Sequence, residues 1–215
     1  RLLAVHGDNI VAVDLPNPAE TDGDEPYEAA AATMSAWLAD GLLVEDPPSF
    51  YGYRMSYRTR EGTERRTTGV IGALELSRPG EGGIVPHEET TPKAKSDRLQ
   101  LLRATHTNLS AVWGLSPASG LTELVEPTET DQVVRWVDPD GVTHEYWLLD
   151  AERQEAVTSL VAAHPVVIAD GHHRYETSLA YRDERRAHEG GTAGEAESIM
   201  TWVVELRDDQ LHVAP

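Results

Sequence analysis

The sequence contains no cysteine. That excludes disulfides, thiolate nucleophiles and sulfur-bound metals, so any metal would rest on His, Asp or Glu ligands. No apolar run approaches the ~18 residues of a membrane span, and Arg1-Leu2-Leu3 has none of the features of a signal peptide. The expected location is therefore the cytoplasm, with no membrane partner, and the Asn108-Leu109-Ser110 sequon is incidental there. Positive charge is also scarce: 18 basic residues face 37 acidic ones, for a formal net charge of −19. Such a field repels nucleic acid unless one face is locally basic. The basic groupings (Arg58, Arg60, Arg65 and Arg66; Lys93, Lys95, Arg98 and Arg103; Arg182, Arg185 and Arg186) read as solvated faces or small anion sites. Nucleic acid is not an expected partner.

What is present is a soluble globular composition, 40% apolar and 26% charged over 215 residues, enough for one large domain or two small ones. The chain is organised around Val166-Val167-Ile168-Ala169-Asp170-Gly171-His172-His173-Arg174-Tyr175-Glu176-Thr177. A short β-branched run over 166–169 predicts a buried strand, and residues 175–188 predict a helix. Between them, free backbone N–H groups and the positive end of the helix dipole make an anion site. Gly171 permits a tight turn or a close backbone approach, His172 and His173 offer donors or a general base, and Arg174 offers a planar fork for phosphate or carboxylate.

Along the rest of the chain, apolar alternation around His6-Gly7-Asp8-Asn9 predicts two strands joined by a turn. Pro26, Tyr27, Ala30, Met34, Trp37 and Leu38 predict a packing helix that Gly41 stops. Residues 50–58 and 67–76 predict a long hairpin. Its tyrosine row, Tyr51, Tyr53 and Tyr57, reads as a sheet face packed on the core, though such a row can also stack a base. Residues 79–95 predict a loop dense in His87, Glu88, Glu89, Thr90 and Lys93, which suits either catalytic groups or a solvated connector. Ser96 is the expected cap of the helix that follows. A strand over 109–115 and a short helix over 121–125 come next. Asp138-Pro139-Asp140-Gly141 then predicts a hairpin, Asp150 caps a helix with Val157, Leu160 and Val161 inward, and residues 199–206 and 211–213 predict a last hairpin. Both ends read as cut from a longer chain.

The polar groups at 170–174 also admit a structural reading: Asp170 as helix cap, one buried histidine, and Arg174 paired with an acid. A metal reading, with His172, His173 and Asp170 or His87 as ligands, is weakened because adjacent histidines on extended backbone point to opposite faces. Several runs together go further: Ile84-Val85-Pro86-His87-Glu88 to Pro92-Lys93, Asp97-Arg98-Leu99 to Leu102-Arg103-Ala104-Thr105, Asn108-Leu109-Ser110, and Ile168 to Thr177. In this order they resemble the uncharacterised bacterial and archaeal family called domain of unknown function 1015. The Asp-Gly-His-His-Arg box is also similar to the phosphate-binding box of the ParB and sulfiredoxin superfamily, which includes free-serine kinases.

That resemblance implies that Gly171 and Arg174 hold phosphate, that His172 and His173 contact it or assist transfer, and that Asp170 positions the turn or Mg²⁺. Glu88, His87 and Lys93 would supply a second half of the site. The expected fold is α+β over residues 1–215, with mixed, largely antiparallel sheet, packed helices, a ParB/sulfiredoxin-like strand–Gly-His-His-Arg–helix unit, and a sub-boundary near 116–130. The expected activity is a nucleotide-dependent phosphotransferase using ATP or ADP with Mg²⁺ on a small hydroxylated metabolite, for which an amino acid such as serine is one candidate. The alternatives are a non-catalytic phosphate-binding or protein-interaction module and, third, metal-dependent hydrolysis by the two histidines.

Overall fold

The computed structural model describes residues 8–16, 25–78, 81–85 and 92–211. Its elements, in chain order, are α1 (Val11–Asp14), α2 (Glu25–Ala39), β1 (Tyr51–Arg58), β2 (Glu64–Glu75), β3 (Ile84–Val85), α3 (Pro92–Thr105), β4 (Val112–Ser116) and α4 (Leu121–Val125). There follow β5 (Val134–Val137), β6 (Thr143–Leu148), α5 (Ala151–Ala162), β7 (Val166–Asp170), α6 (His172–Glu189), a 3₁₀ turn (Gly194–Glu197) and β8 (Ser198–Glu205).

All eight strands join one sheet in the order β3-β7-β4-β8-β2-β1-β6-β5. The pairings β3/β7 and β4/β8 are parallel and the rest antiparallel, which is the mixed, largely antiparallel α+β architecture expected. Strands from either side of residues 116–130 pair directly, as β4 does with β7 and β8.

One sheet face carries the main core: Val70, Val112, Trp147, Val166, Ile168 and Val203 pack with Leu121 and Val125 of α4, Val157 of α5 and Tyr175 of α6. Trp147 is fully buried, and its indole N–H donates to the Val125 carbonyl at 2.9 Å. A second, smaller cluster joins Val13, Ala30, Trp37 and Leu101 from α1, α2 and α3. Because α3 also packs along α6, the seam between these two helices joins the two cores.

The opposite sheet face is an aromatic row. Ring centroids run Trp113–Trp202 at 5.7 Å, Trp202–Tyr53 at 5.2 Å, Tyr53–His144 at 6.1 Å and His144–Trp136 at 4.9 Å. Trp202 reaches Tyr53 across β2 because Gly69 leaves the space: a β-carbon there would stand 2.7 Å from the Trp202 Nε1. The tyrosine row of β1 thus lies away from the main core. Alternation turns Gly52 and Arg54 toward Trp147 instead.

Several elements differ from expectation. Residues 11–14 form one helical turn, not a strand, because the Asn9 side chain accepts from the Val11 N–H at 3.0 Å and Val13 buries in the second cluster. The helix expected from Ser96 begins at Pro92, whose fixed φ suits a first helical turn. Lys93 is therefore on α3, not on a loop. Helix α6 starts at His172, three residues early, so the two histidines are helical neighbours and the argument from extended backbone does not apply. The last hairpin is absent among the described residues: Leu211 is outside any strand, and residues 212–213 lie beyond them.

Candidate functional site

Strand β7 ends at Asp170, and the chain reverses at Gly171 with φ +92°. Only glycine takes that left-handed conformation without strain. Helix α6 begins at the next residue, and no side chain caps it at Gly171. Its first-turn N–H groups precede the bond from Tyr175 N–H to the Gly171 carbonyl at 3.0 Å. Arg174 folds back over the turn, where its Cζ and Nε lie 3.0 Å from the point a Gly171 β-carbon would occupy. Its guanidinium donates to Asp170 Oδ2 at 2.7 Å, to Ser110 Oγ at 3.3 Å and to the Ala111 carbonyl. A register shift between Trp113 and Gly114, where β4 meets β7, lies next to this contact; such bulges re-aim the chain beside sites.

Arg174 lines a cavity of about 50 Å³ on the α3–α6 seam, together with Arg98, Asn108, Ser110, Thr177 and Ser178. Arg174, Thr177 and Ser178 stand at i, i+3 and i+4 and so share one face of α6. Arg98 reaches the cavity from α3, where it donates to Asp14 Oδ1 at 2.8 Å and to the Asp14 carbonyl at 2.9 Å. Two guanidiniums, the hydroxyl residues Thr107, Ser110, Thr177 and Ser178, an amide and the Asp14 carboxylate therefore line one small space. At about 30 Å³ for each water in the liquid, that space is of the order of a phosphoryl group and far smaller than a nucleotide. Each guanidinium is balanced by an aspartate, Arg98 by Asp14 and Arg174 by Asp170. The Asp170 side chain is 69% exposed and pairs with Arg174 without lining the cavity.

Of the sequence-predicted residues, Arg174 lines this cavity, while Gly171 shapes the turn and Asp170 holds the arginine. His172 is buried. His173 is half-buried, and its Nδ1 is enclosed with no hydrogen-bond partner among the described residues. Neither histidine lines the cavity. The structural reading is met in part, since Arg174 is paired and one histidine is buried, but Asp170 does not cap α6. His87 and Glu88 lie outside the described residues, as does the side chain of Lys93. Among the described residues, no three His, Asp or Glu side chains converge as a metal's ligand set would. None of the described helices is long and apolar enough to cross a membrane.

A family model described as "Protein of unknown function (DUF1015)" matches residues 1–215. The chain belongs to that family. No curated protein and no solved structure matches it. The family description assigns no activity, so the chemistry of this DUF1015 chain has to be read from its own side chains.

Sequence reasoning singled out the box but not its companions in the cavity. Arg98 stood in a basic grouping and Ser110 in a sequon, and nothing in their spacing ties either to residue 174. Thr177 and Ser178 were missed because the helix was expected from residue 175; with α6 starting at His172 they stand i+3 and i+4 from Arg174, and that spacing is the signal that would have found them.

Proposed function

We propose that this DUF1015 protein is a nucleotide-dependent phosphotransferase acting on a small hydroxylated metabolite. The observation that carries the reading is the convergence of Arg98, Arg174, Ser110, Thr177 and Ser178 on a phosphoryl-sized cavity beside an uncapped helix start. Phosphoryl transfer asks the protein mainly for positioned cations and donors around the phosphates. Guanidinium forks suit that role better than ammonium groups. In this reading Asp170, exposed and paired with Arg174, would meet the Mg²⁺ that arrives with ATP or ADP, as Mg²⁺ commonly uses one or two carboxylates plus phosphate oxygens. The ParB/sulfiredoxin-like box implies that His172 and His173 contact phosphate or assist transfer, although neither lines the cavity, and His87, Glu88 and Lys93 are the separate candidates for the second half of the site. A hydroxylated amino acid such as serine is the acceptor that the same resemblance suggests.

One observation favours a second reading, a non-catalytic nucleotide- or phosphate-binding module or protein-interaction module. Among the described residues lining the cavity, Asp14 is the single carboxylate, with no Glu or His beside it, and it is already held by Arg98. Titration with ATP, ADP and CTP in Mg²⁺ tests binding, and transfer of labelled γ-phosphate to hydroxylated amino acids tests turnover. Binding with turnover supports the kinase. Binding to a full-length protein without turnover supports the module, and no binding at millimolar nucleotide contradicts both.

A further inference from the structure

The phosphoryl-sized cavity has a larger neighbour. A chamber of about 400 Å³ is lined by His106, Asn108, Ser178, Tyr181, Arg185 and Glu195, and it shares Leu102, Asn108 and Ser178 with the smaller cavity as common wall. The two chambers lie side by side along α6. The volume falls in the range of small-molecule sites, and the walls are mostly polar, unlike the apolar and aromatic linings that hold flat ring systems.

In the wall of the larger chamber stands a built cluster. Tyr181 is buried, His106 Nδ1 lies 2.7 Å from its hydroxyl, and Arg185 Nη1 donates to that hydroxyl at 3.3 Å. The guanidinium carbon of Arg185 lies 5.9 Å from the centre of the Tyr181 ring. His106 holds this position at φ +51°, the one positive φ outside glycine among the described residues. It follows the last turn of α3, where its N–H donates to the Leu102 carbonyl at 2.9 Å. Glycine is the usual residue at such a helix end. A histidine kept there costs backbone strain, and strain of this kind gathers at ligand sites. What the histidine gains over glycine is an imidazole that reaches Tyr181.

The geometry points to this chamber as the acceptor subsite, for a small molecule that carries a carboxylate next to a hydroxyl. The inference rests on the phosphate reading of the smaller cavity. Arg185 presents the cation for the carboxylate, and the Tyr181–His106 pair fixes the arginine's place in the wall. Ser178 and Asn108, shared by both chambers, stand where the acceptor hydroxyl would face the phosphoryl group. Glu195, also in the lining, offers a carboxylate to an ammonium group. It thereby separates an amino acid from a plain hydroxy acid.

The test is calorimetric titration of the full-length protein with three separate probes: inorganic phosphate, L-serine and D-glycerate. Serine and glycerate should both bind, serine more tightly, with the difference removed by Glu195→Gln. Arg185→Gln should weaken serine and glycerate by about tenfold or more and leave phosphate unchanged, because a charge-assisted contact is lost in one chamber only. Arg174→Gln should do the reverse. His106→Gly suits the backbone and should keep the melting temperature at or above that of the parent while weakening serine binding. If phosphate binds but serine and glycerate do not, or if Arg185→Gln leaves their binding intact, the acceptor subsite is overturned. Serine binding that depends on Arg185 without any phosphate binding would instead overturn the phosphate reading and leave a carboxylate site. A His106→Gly variant that melts lower with serine binding unchanged would overturn the role given to the histidine.

Discussion

The guanidinium of Arg174 lies over the α-carbon of Gly171, 3.0 Å from where a β-carbon would stand. The turn and the arginine are thus one device. The left-handed backbone lets β7 pass directly into α6, and the missing side chain lets Arg174 fold back to Asp170, Ser110 and Ala111.

Gly171→Ala should therefore harm both stability and binding. A non-glycine residue at φ +92° costs about 1–3 kcal/mol, and the new methyl group must displace the guanidinium. Urea unfolding should show a loss in that range, and nucleotide affinity should fall with it. An unchanged unfolding midpoint would mean that the turn relaxes freely.

Arg98→Ala and Arg174→Ala should each weaken nucleotide binding by about tenfold or more while leaving the fold intact, since each removes a charged donor from a partly exposed cavity wall. Arg174→Lys should restore little, because one ammonium cannot span Asp170, Ser110 and Ala111 as the planar fork does. Titration of the three variants with Mg²⁺-ADP checks this, and parental affinity in either alanine variant would remove that arginine from the site.

Trp147 should be the most costly single truncation in the main core. It is fully buried, donates to Val125 and lies beneath the Arg54 guanidinium at 5.2 Å. Trp147→Ala is expected to cost about 3–5 kcal/mol. Gly52→Ala should also destabilise, because its β-carbon would stand 2.2 Å from the Trp147 ring. Chemical denaturation of both variants gives the comparison; a loss below ~1 kcal/mol for Trp147→Ala would contradict the packing described.

Acid should loosen the C-terminal end of α6. Glu197 accepts from Arg186 at 2.9 Å and from the Ala193 N–H at 2.8 Å, and these bonds hold its carboxyl down at about 2 from an ordinary 4.5. The folded-state value is the lower one. Its contribution is therefore complete above about pH 4.5 and is lost as pH falls through about 2. Amide protection factors around residues 186–197 should fall over that window in the parent, and Glu197→Gln should already be weakly protected at pH 5. Equal protection of the two proteins at pH 5 would contradict it.

Much of the fold was legible because it is local. Periodicity, Asp150 as a cap and the Asp140-Gly141 turn each act within a few residues, and the structure has them where expected. The misreadings were competitions that local pattern cannot decide. Residues 10–13 alternate like a strand but bury Val13 in a helical cluster, and His172 is recruited into α6 by the Gly171 turn. The box was legible as an anion site from residue types alone. Its partners Arg98, Asn108 and Ser110 were not, since they reach Arg174 only because α3 lies along α6, a packing between residues more than sixty positions apart.

In the proposed function Arg98 and Arg174 together receive a phosphoryl group. A crystal structure of the full-length protein with Mg²⁺-ADP is the decisive test. The terminal phosphate should lie in the α3–α6 cavity, within hydrogen-bond reach of both guanidiniums and of Ser178. Nucleotide bound elsewhere on the molecule, or none at millimolar concentration with both arginines still paired to Asp14 and Asp170, would contradict that function.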